Sequence, residues 1–381
     1  MSDLDKKVIV YGATGFTGQL VAEDLVRRGI PLTVAGRNAD KLEQLAGRLR
    51  DGGGDVEAAA VQHEVGAMTD LFRGKQVVIN ISGPYNQIGR DVVKAAVEAG
   101  CHYVDVTGEQ DFMLDTRREF DAVAAQRDLA IIPSNAFHWC PGGCAADIAL
   151  ETRGVDTVEV VYQVNGYMTI ASAKSTFRVA KRNHYENRAG RLEEYDYGAM
   201  YRTVAIPGSD GKVPASCLGT AENVWFDGDP RVENLQVLRA DPVSKVMGRT
   251  FGFFQHLQKV IDRDRLDWCT DTLTDRLWKQ KPREAAGESA WTVIANGSGP
   301  GARSQVVLRG DRPYVMTGIL CGESAERILA GDLRRTGFVA PHQAFGAREM
   351  IASTARMGVT LEETSSARPA ERSDQAVQAT A

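Results

Sequence analysis

The chain has 381 residues, 43% hydrophobic and 25% charged, a composition that excludes collagenous, coiled-coil and mostly disordered proteins and is long enough for two domains. Lys and Arg total 45 against 50 Asp and Glu, a net charge of -5, so no basic excess exists to neutralise a phosphate backbone and nucleic acid is not an expected partner. No window approaches the roughly 18 consecutive apolar residues of a membrane span, and the N-terminus lacks the apolar core of a signal peptide, so a cytoplasmic protein is expected.

The first element is the apolar run Lys7 to Tyr11, which ends in Gly12-Ala13-Thr14-Gly15-Phe16-Thr17-Gly18 and passes into a helical pattern over Gln19 to Arg28. A buried strand entering a helix at Gly12-x-x-Gly15-x-x-Gly18 brings bare backbone N–H groups and a positive helix N-terminus to one point, where a pyrophosphate can bind. A second apolar run, Pro31 to Ala35, ends in Gly36-Arg37 at the distance where dinucleotide folds read the adenosine ribose. An acidic residue there would accept from the ribose hydroxyls of NAD. Arg37 instead offers a bidentate fork to a 2′-phosphate, which predicts NADP.

The pattern continues as a helix over Lys41 to Arg50, a strand over Asp55 to Val61, a short helix over Met68 to Phe72 and a fourth strand over Val77 to Ile81. Ser82, Gly83, Pro84 and Tyr85 follow that strand, where cofactor and substrate meet in parallel sheets of this kind. A helix over Arg90 to Ala99, a strand over Tyr103 to Val106, a helix over Phe112 to Arg127 and a strand over Ala130 to Pro133 complete six doubly wound strands, with Asn135 to Cys144 as the exit loop. The predicted cofactor site is Gly12, Thr14, Gly15, Phe16, Thr17, Gly18, Arg37, Ser82, Gly83 and Pro84.

Six scattered cysteines, at 101, 140, 144, 217, 269 and 321, read as reduced thiols rather than a disulfide framework. Cys140 and Cys144 with His138 suggest a metal but lack a clear fourth ligand, so burial beside a turn is the preferred reading and no metal is expected.

Tyr11 to Gly18, Ala35 to Arg37, Gly83-Pro84-Tyr85 with Gly89, and His102 to Glu109 together resemble the saccharopine dehydrogenase-like oxidoreductases. The similarity returns in Gly310 to Tyr314 with Thr317, in Gly337 to Pro341, in Phe345-Gly346 and in Gly358-Val359. It covers about residues 7 to 148 and 289 to 362, and among the branches its spacing is most similar to the bacterial trans-acting enoyl reductases. The resemblance implies reduction of an enoyl or imine bond, a sheet covering the cofactor cleft, and a last helix, His342 to Met357, that packs on the nucleotide domain. One departure stands out. Where those relatives carry a carboxylate, this chain reads Ala136-Phe137-His138-Trp139, so His138 is either a proton donor near neutral pH or a packing histidine.

In the middle of the chain, Thr157 to Gly166 and Tyr167 to Ser172 read as strands and Ser175 to Arg188 as a helix. Ala290 to Asn296 and Arg303 to Leu308 form a predicted hairpin, with Tyr314 to Gly318 as a further strand. Pro242 to Ile261 and Leu266 to Lys281 are predicted helices carrying Phe251, Phe253, Phe254, Leu257 and Trp268, a core or subunit face or part of an apolar channel. The expected fold is therefore α/β, a Rossmann-type doubly wound parallel sheet over residues 1–148, with a second α+β domain built on a mixed sheet over 149–335. A C-terminal helix over 336–362 rejoins the first domain, and 363–381 is a disordered tail.

No Tyr is followed four positions later by Lys, so the proton relay of the short-chain dehydrogenases is absent. Tyr85 and His138 are the predicted catalytic residues, while Tyr103 and Asp105 support the fold. The expected activity is an NADPH-dependent reductase acting on an apolar substrate, free or carrier-bound, in a homodimer. The alternative is a non-catalytic NADP-binding regulator, against which the large second domain counts, because hydride chemistry needs walls that exclude water.

Overall fold

The computed structural model describes residues 7–166, 168–195, 201–209, 211–241, 262–277 and 284–367. Its first half alternates strand and helix: β1 (Val8–Tyr11), α1 (Phe16–Arg27), β2 (Leu32–Gly36), α2 (Ala39–Asp51), β3 (Val56–Ala60), α3 (Val65–Phe72), β4 (Val77–Asn80), α4 (Arg90–Ala99), β5 (His102–Asp105), α5 (Gln110–Gln126), β6 (Ala130–Ile132) and α6 (Cys140–Leu150). A single π-turn, Tyr85–Gly89, leads into α4. β1, β4 and β6 are buried at every residue, as central parallel strands covered on both faces must be, and this is why they read as unbroken apolar runs.

The second half comprises β7 (Thr157–Asn165), α7 (Ile170–Ala180), β8 (His184–Arg188), β9 (Arg191–Tyr195), β10 (Tyr201–Ala205), β11 (Lys212–Cys217), α8 (Ala221–Trp225), β12 (Asn234–Ala240), α9 (Arg263–Leu277), β13 (Ala290–Gly299), β14 (Ala302–Gly310), α10 (Pro313–Ala330), β15 (Gly337–Phe338), α11 (Pro341–Phe345), α12 (Ala347–Ala352) and β16 (Thr360–Ala367). The first sheet has the order β15-β6-β5-β4-β1-β2-β3, and all its pairs are parallel. Its order reverses between β1 and β4, which opens a crevice at their carboxyl ends. The second sheet runs β10-β11-β12-β7-β13-β14-β16, with β12 parallel to β7 and the other pairs antiparallel. α6 joins the two, and one buried cluster runs from Val10 and Ile79 through Ala145 and Ile148 to Val160 and Val293.

Several predicted elements change. The parallel sheet has a seventh strand, β15, which takes its pairing from β6 through Gly337↔Ala130. Tyr314 to Gly318 belong to the helix α10, because Pro313 occupies its first turn and Arg312 enters it with φ 49°. Ile170–Ala180 is helical, whereas His184–Arg188 is a strand, so the predicted boundary between strand and helix lies several residues out of place. The last helix is broken into α11 and α12 at Gly346, whose φ of 95° no α-helix accommodates. Residues 363–367 are not a tail but the end of β16, which pairs with β14 from Ala302↔Ala367 to Arg309↔Thr360. The predicted helix over 242–261 lies outside the described residues, and the one over 266–281 is described as α9 up to Leu277.

Candidate active site

The glycine turn forms because two of its positions admit no side chain. Gly12 has φ +82°, and a Cβ there would stand 2.9 Å from the Ser82 backbone nitrogen; a Cβ on Gly18 would stand 2.5 Å from the Gly12 carbonyl oxygen. β1, the start of α1 and the loop after β4 are thereby held in direct contact. Gly15 differs. It is exposed, its φ is -70°, and a Cβ would meet only the Gly12 carbonyl oxygen at 3.4 Å. It is the N-cap of α1 with no side-chain cap, and the first intrahelical bond runs from the Gln19 N–H to the Gly15 carbonyl. The N–H groups of Phe16, Thr17 and Gly18 precede that bond and sit at the positive end of the helix, beside open space, which fits a pyrophosphate.

Arg37 follows β2 and is exposed, and among the described residues no carboxylate pairs with it. It stands near Tyr11, whose phenol burial pushes above its ordinary value and the Arg37 charge partly draws back. An exposed guanidinium beside the cradle fits a 2′-phosphate. Thr14 lies in the same turn, its carbonyl accepting from the Gln19 side chain at 3.0 Å.

Ser82, Gly83 and Pro84 leave β4 on the opposite side of the crevice. The Asn80 side chain fixes this loop, accepting from the Ser82 N–H at 2.9 Å and the Ser82 hydroxyl at 2.7 Å, while its amide donates to the Tyr103 hydroxyl at 3.0 Å. Glu109 accepts from the backbone N–H groups of Tyr85 at 3.2 Å and Asn86 at 2.9 Å. Burial pushes its carboxyl up to about 7 despite those two donors. Tyr85 is folded beneath the loop: its ring lies 5.6 Å from that of Phe112 and its hydroxyl donates to the Asn80 carbonyl at 3.0 Å. Tyr103 and Asp105 are buried in β5, and Asp105 accepts from the Thr107 and Ser134 N–H groups at 2.9 and 2.8 Å.

His138 leaves β6 on a well-anchored segment. The Asn135 amide donates to the Leu320 carbonyl at 3.0 Å and to the Ser324 hydroxyl at 2.8 Å, and the Phe137 N–H donates to Thr317 at 3.1 Å. The half-buried imidazole packs 4.6 Å from the Trp139 ring and 5.5 Å from that of Tyr162, and among the described residues nothing hydrogen-bonds to it. Burial, with the positive charge of Arg239 adding to it, lowers its pKa to about 3. A histidine held in this way is neutral near pH 7, a hydrogen-bond donor and acceptor.

Arg239 was missed in the sequence, although the signal exists. In β12, Leu235, Val237 and Arg239 share the core-facing side, so an Arg stands where the period of two calls for an apolar residue. It lies directly across from Tyr162. Behind His138, the Tyr162 hydroxyl receives the Gly142 N–H at 2.9 Å and lies 2.9 Å from the Trp139 carbonyl and 2.6 Å from Glu222. One phenolic proton cannot serve two acceptors. A protonated Glu222 that donates to Tyr162 resolves this, and burial does push Glu222 up to about 7.

That arrangement predicts a pH effect on stability. A carboxyl with a raised folded-state pKa stabilises the fold fully below its unfolded value, and this contribution is lost as pH rises through about 7. Glu222→Gln keeps a donor toward Tyr162 and cannot ionise. It should melt higher than the parent near pH 8, by on the order of 1–3 kcal/mol, and equally near pH 4. Thermal denaturation at the two pH values checks this, and a variant less stable at both would overturn it.

A concavity of about 680 Å³ lies on the far face of the second sheet, lined by Glu159, Arg202, Gln236, Asn296 and Arg303 among others. It is distant from the carboxyl ends of the parallel strands, and its amides are engaged with their neighbours: Gln305 donates to Asn296 at 2.8 Å and Arg202 to Gln236 at 3.1 Å.

Fold and site together define a dinucleotide-binding protein with a second, sheet-based domain. Residues 8–128 match the saccharopine dehydrogenase NADP binding domain. The chain belongs to the family described as a family of unknown function, DUF5938, whose model matches residues 140–367, more than half of its length. It is similar to a lipid droplet localized protein of Caenorhabditis elegans, 36% identical over 134 residues, which are 33% of this chain and 32% of that one. A saccharopine dehydrogenase-like oxidoreductase of Mus musculus is 31% identical over 181 residues, 42% of this chain and 39% of that one. A trans-acting enoyl reductase of Mycobacterium bovis is 30% identical over 137 residues, 35% of this chain and 33% of that one. The chain thus spans about a third to two fifths of the length of these relatives. Its N-terminal part is an NADP-binding domain of the saccharopine dehydrogenase-like kind, as the glycine turn and Arg37 predict.

Proposed function

We propose that this protein is an NADPH-dependent reductase of a polarised C=C or C=N bond in an apolar substrate, free or carrier-bound. The observation that supports the reading is that the uncapped start of α1, the loop of Ser82 to Pro84 and the segment carrying the half-buried His138 each follow the carboxyl end of a strand in one parallel sheet. When bound, the cofactor would supply a hydride. The neutral His138 N–H would hydrogen-bond to the substrate oxygen or nitrogen on which negative charge gathers, beside Arg239, which pairs with Asp241 at 3.3 Å, and solvent water would supply the proton that completes the reduction. Tyr85 holds the loop in place through Asn80. The buried rings of Phe137 and Trp139 pack on His138, and Trp291 packs on Phe137, apolar surroundings that suit an apolar chain. The names of the enoyl reductase and lipid droplet relatives support a lipid-like substrate.

The test is NADPH consumption against enoyl, imine and ketone substrates of increasing chain length. Oxidation of NADPH by an enoyl or imine class is expected. Tight NADPH binding with no oxidation by any class would overturn the reading and leave an NADP-binding regulator in its place.

A further inference from the structure

Glu109 stands at the N-cap of α5, where a side-chain oxygen ordinarily accepts from the N–H groups of its own helix. Here it caps nothing. Its N–H donates to the Thr107 hydroxyl at 3.1 Å, and its carboxylate reaches instead to the loop after β4, accepting from the Tyr85 N–H at 3.2 Å on one oxygen and from the Asn86 N–H at 2.9 Å on the other. Those two N–H groups open the π-turn that follows Ser82 to Pro84. Asn80 holds the front of the same loop through Ser82, so the loop is fixed from both ends. Glu109 is only 2% exposed, and a buried carboxylate is costly. A helix that forgoes its cap and a carboxylate that forgoes water both serve the same two loop N–H groups.

The charges that face Glu109 come from three elements. Asp111 on α5 opposes its ionisation, Arg178 on α7 favours it, and the phenol of Tyr85, whose pKa burial pushes well up, lies beneath the loop. Arg178 is itself paired with Asp271, and Arg182, just past α7, lies 3.7 Å from Asp111. Burial outweighs the two donors and the guanidinium, and the carboxyl is pushed up to about 7.

We propose that Glu109 is a positioning residue for the cofactor: its ionised carboxylate keeps the Ser82 to Pro84 loop in the shape that receives the dinucleotide, and protonation releases the loop. A protonated carboxyl keeps one good acceptor oxygen, so one of the two N–H bonds weakens when the proton is taken up. Affinity for either cofactor should therefore rise with pH through about 7. The effect on stability has the opposite sign. A carboxyl whose folded-state pKa is raised stabilises the fold below its unfolded value, and that contribution is lost as pH rises through about 7. A merely structural role would move affinity and stability together, whereas a positioning role separates them. The proposal rests on the assignment of this loop to the cofactor and not on the reaction.

The experiment is fluorescence titration of the full chain with NADPH and with NADH from pH 6 to pH 8, beside a melting curve at each pH. Binding of both should tighten by about threefold to tenfold over that range. NADH is the control for the 2′-phosphate of NADPH, which titrates at roughly pH 6. Glu109→Gln presents one acceptor and cannot ionise, so at every pH it should bind both cofactors about as weakly as the parent does at pH 6. Asp111→Asn keeps an acceptor for the Phe112 N–H, at 3.0 Å in the parent, and removes a negative charge, so it should move the midpoint to lower pH; this variant decides the matter where Glu109→Gln does not fold. Affinity independent of pH in the parent, a dependence confined to NADPH, a profile retained by a folded Glu109→Gln, or a midpoint that Asp111→Asn leaves in place would each overturn the proposal. Binding of neither cofactor at any pH would overturn the assignment of the crevice to a dinucleotide, and this proposal with it.

Discussion

Arg37→Asp should exchange the cofactor preference, from tighter binding of NADPH to tighter binding of NADH. A guanidinium paired with a phosphate is a charge-assisted contact, and hydrogen bonds to charged groups contribute about 1.5–3 kcal/mol, so the ratio of the two dissociation constants should move by about tenfold or more. The fold should not notice the change, because Arg37 is exposed and no carboxylate among the described residues depends on it. Gly15→Val should abolish binding of both cofactors. Its Cβ has room, with one contact at 3.4 Å and an ordinary φ of -70°, so the protein folds at a cost of about 1 kcal/mol for a poor N-cap. The branched side chain then occupies the space in front of the Phe16 to Gly18 N–H groups. Gly18→Val provides the contrast, since its Cβ would meet the Gly12 carbonyl oxygen at 2.5 Å and the Ala13 Cα at 2.8 Å, and it should lose the fold itself. Fluorescence titration with NADPH and NADH, beside a melting curve, separates the cases. Equal affinities in the parent, or an unchanged titration in Gly15→Val, would mean that the phosphates bind elsewhere.

The nucleotide-binding part was legible because its signals are local. A fully buried parallel strand must be apolar along its length, and a chain that passes within contact distance of its own helix must use glycine, so β1, β4 and the turn at Gly12 to Gly18 show directly. The second half depends on partners distant in the chain. β16 is a polar run, Thr360 to Ala367, with no apolar alternation to mark it; β14 supplies its hydrogen bonds, and Arg309 pairs with Glu362 at 2.6 Å. In α10, Gly318 and Gly322 look like breakers. They are points of close approach, where a Cβ would stand 3.0 Å from the Leu20 carbonyl oxygen and 2.3 Å from the Asp24 carboxylate. The site divides the same way. Arg37 was visible from its distance to the glycine turn, whereas the state of His138 follows from burial and from Arg239, far away in the chain and near it in the fold.

His138→Ala should lower turnover by about 10²-fold with NADPH affinity unchanged, because in the proposed role the variant loses the N–H that donates to the developing charge and nothing that holds the cofactor. Tyr85→Phe should behave differently. Its hydroxyl is engaged with the Asn80 carbonyl, so the loss is one buried hydrogen bond, about 1 kcal/mol of stability, with a small change in turnover. A third variant tests the protonation state. Burial keeps the imidazole neutral, so the role needs an N–H and not a positive charge, and His138→Gln should recover part of what His138→Ala loses. An imidazolium acid would not be rescued by an amide. Full activity in His138→Ala together with a loss of about 10²-fold in a well-folded Tyr85→Phe would move the donor to Tyr85. Full activity in both would place it on the second domain or in water, with Arg239, across the sheet from Tyr162, as the next residue to replace.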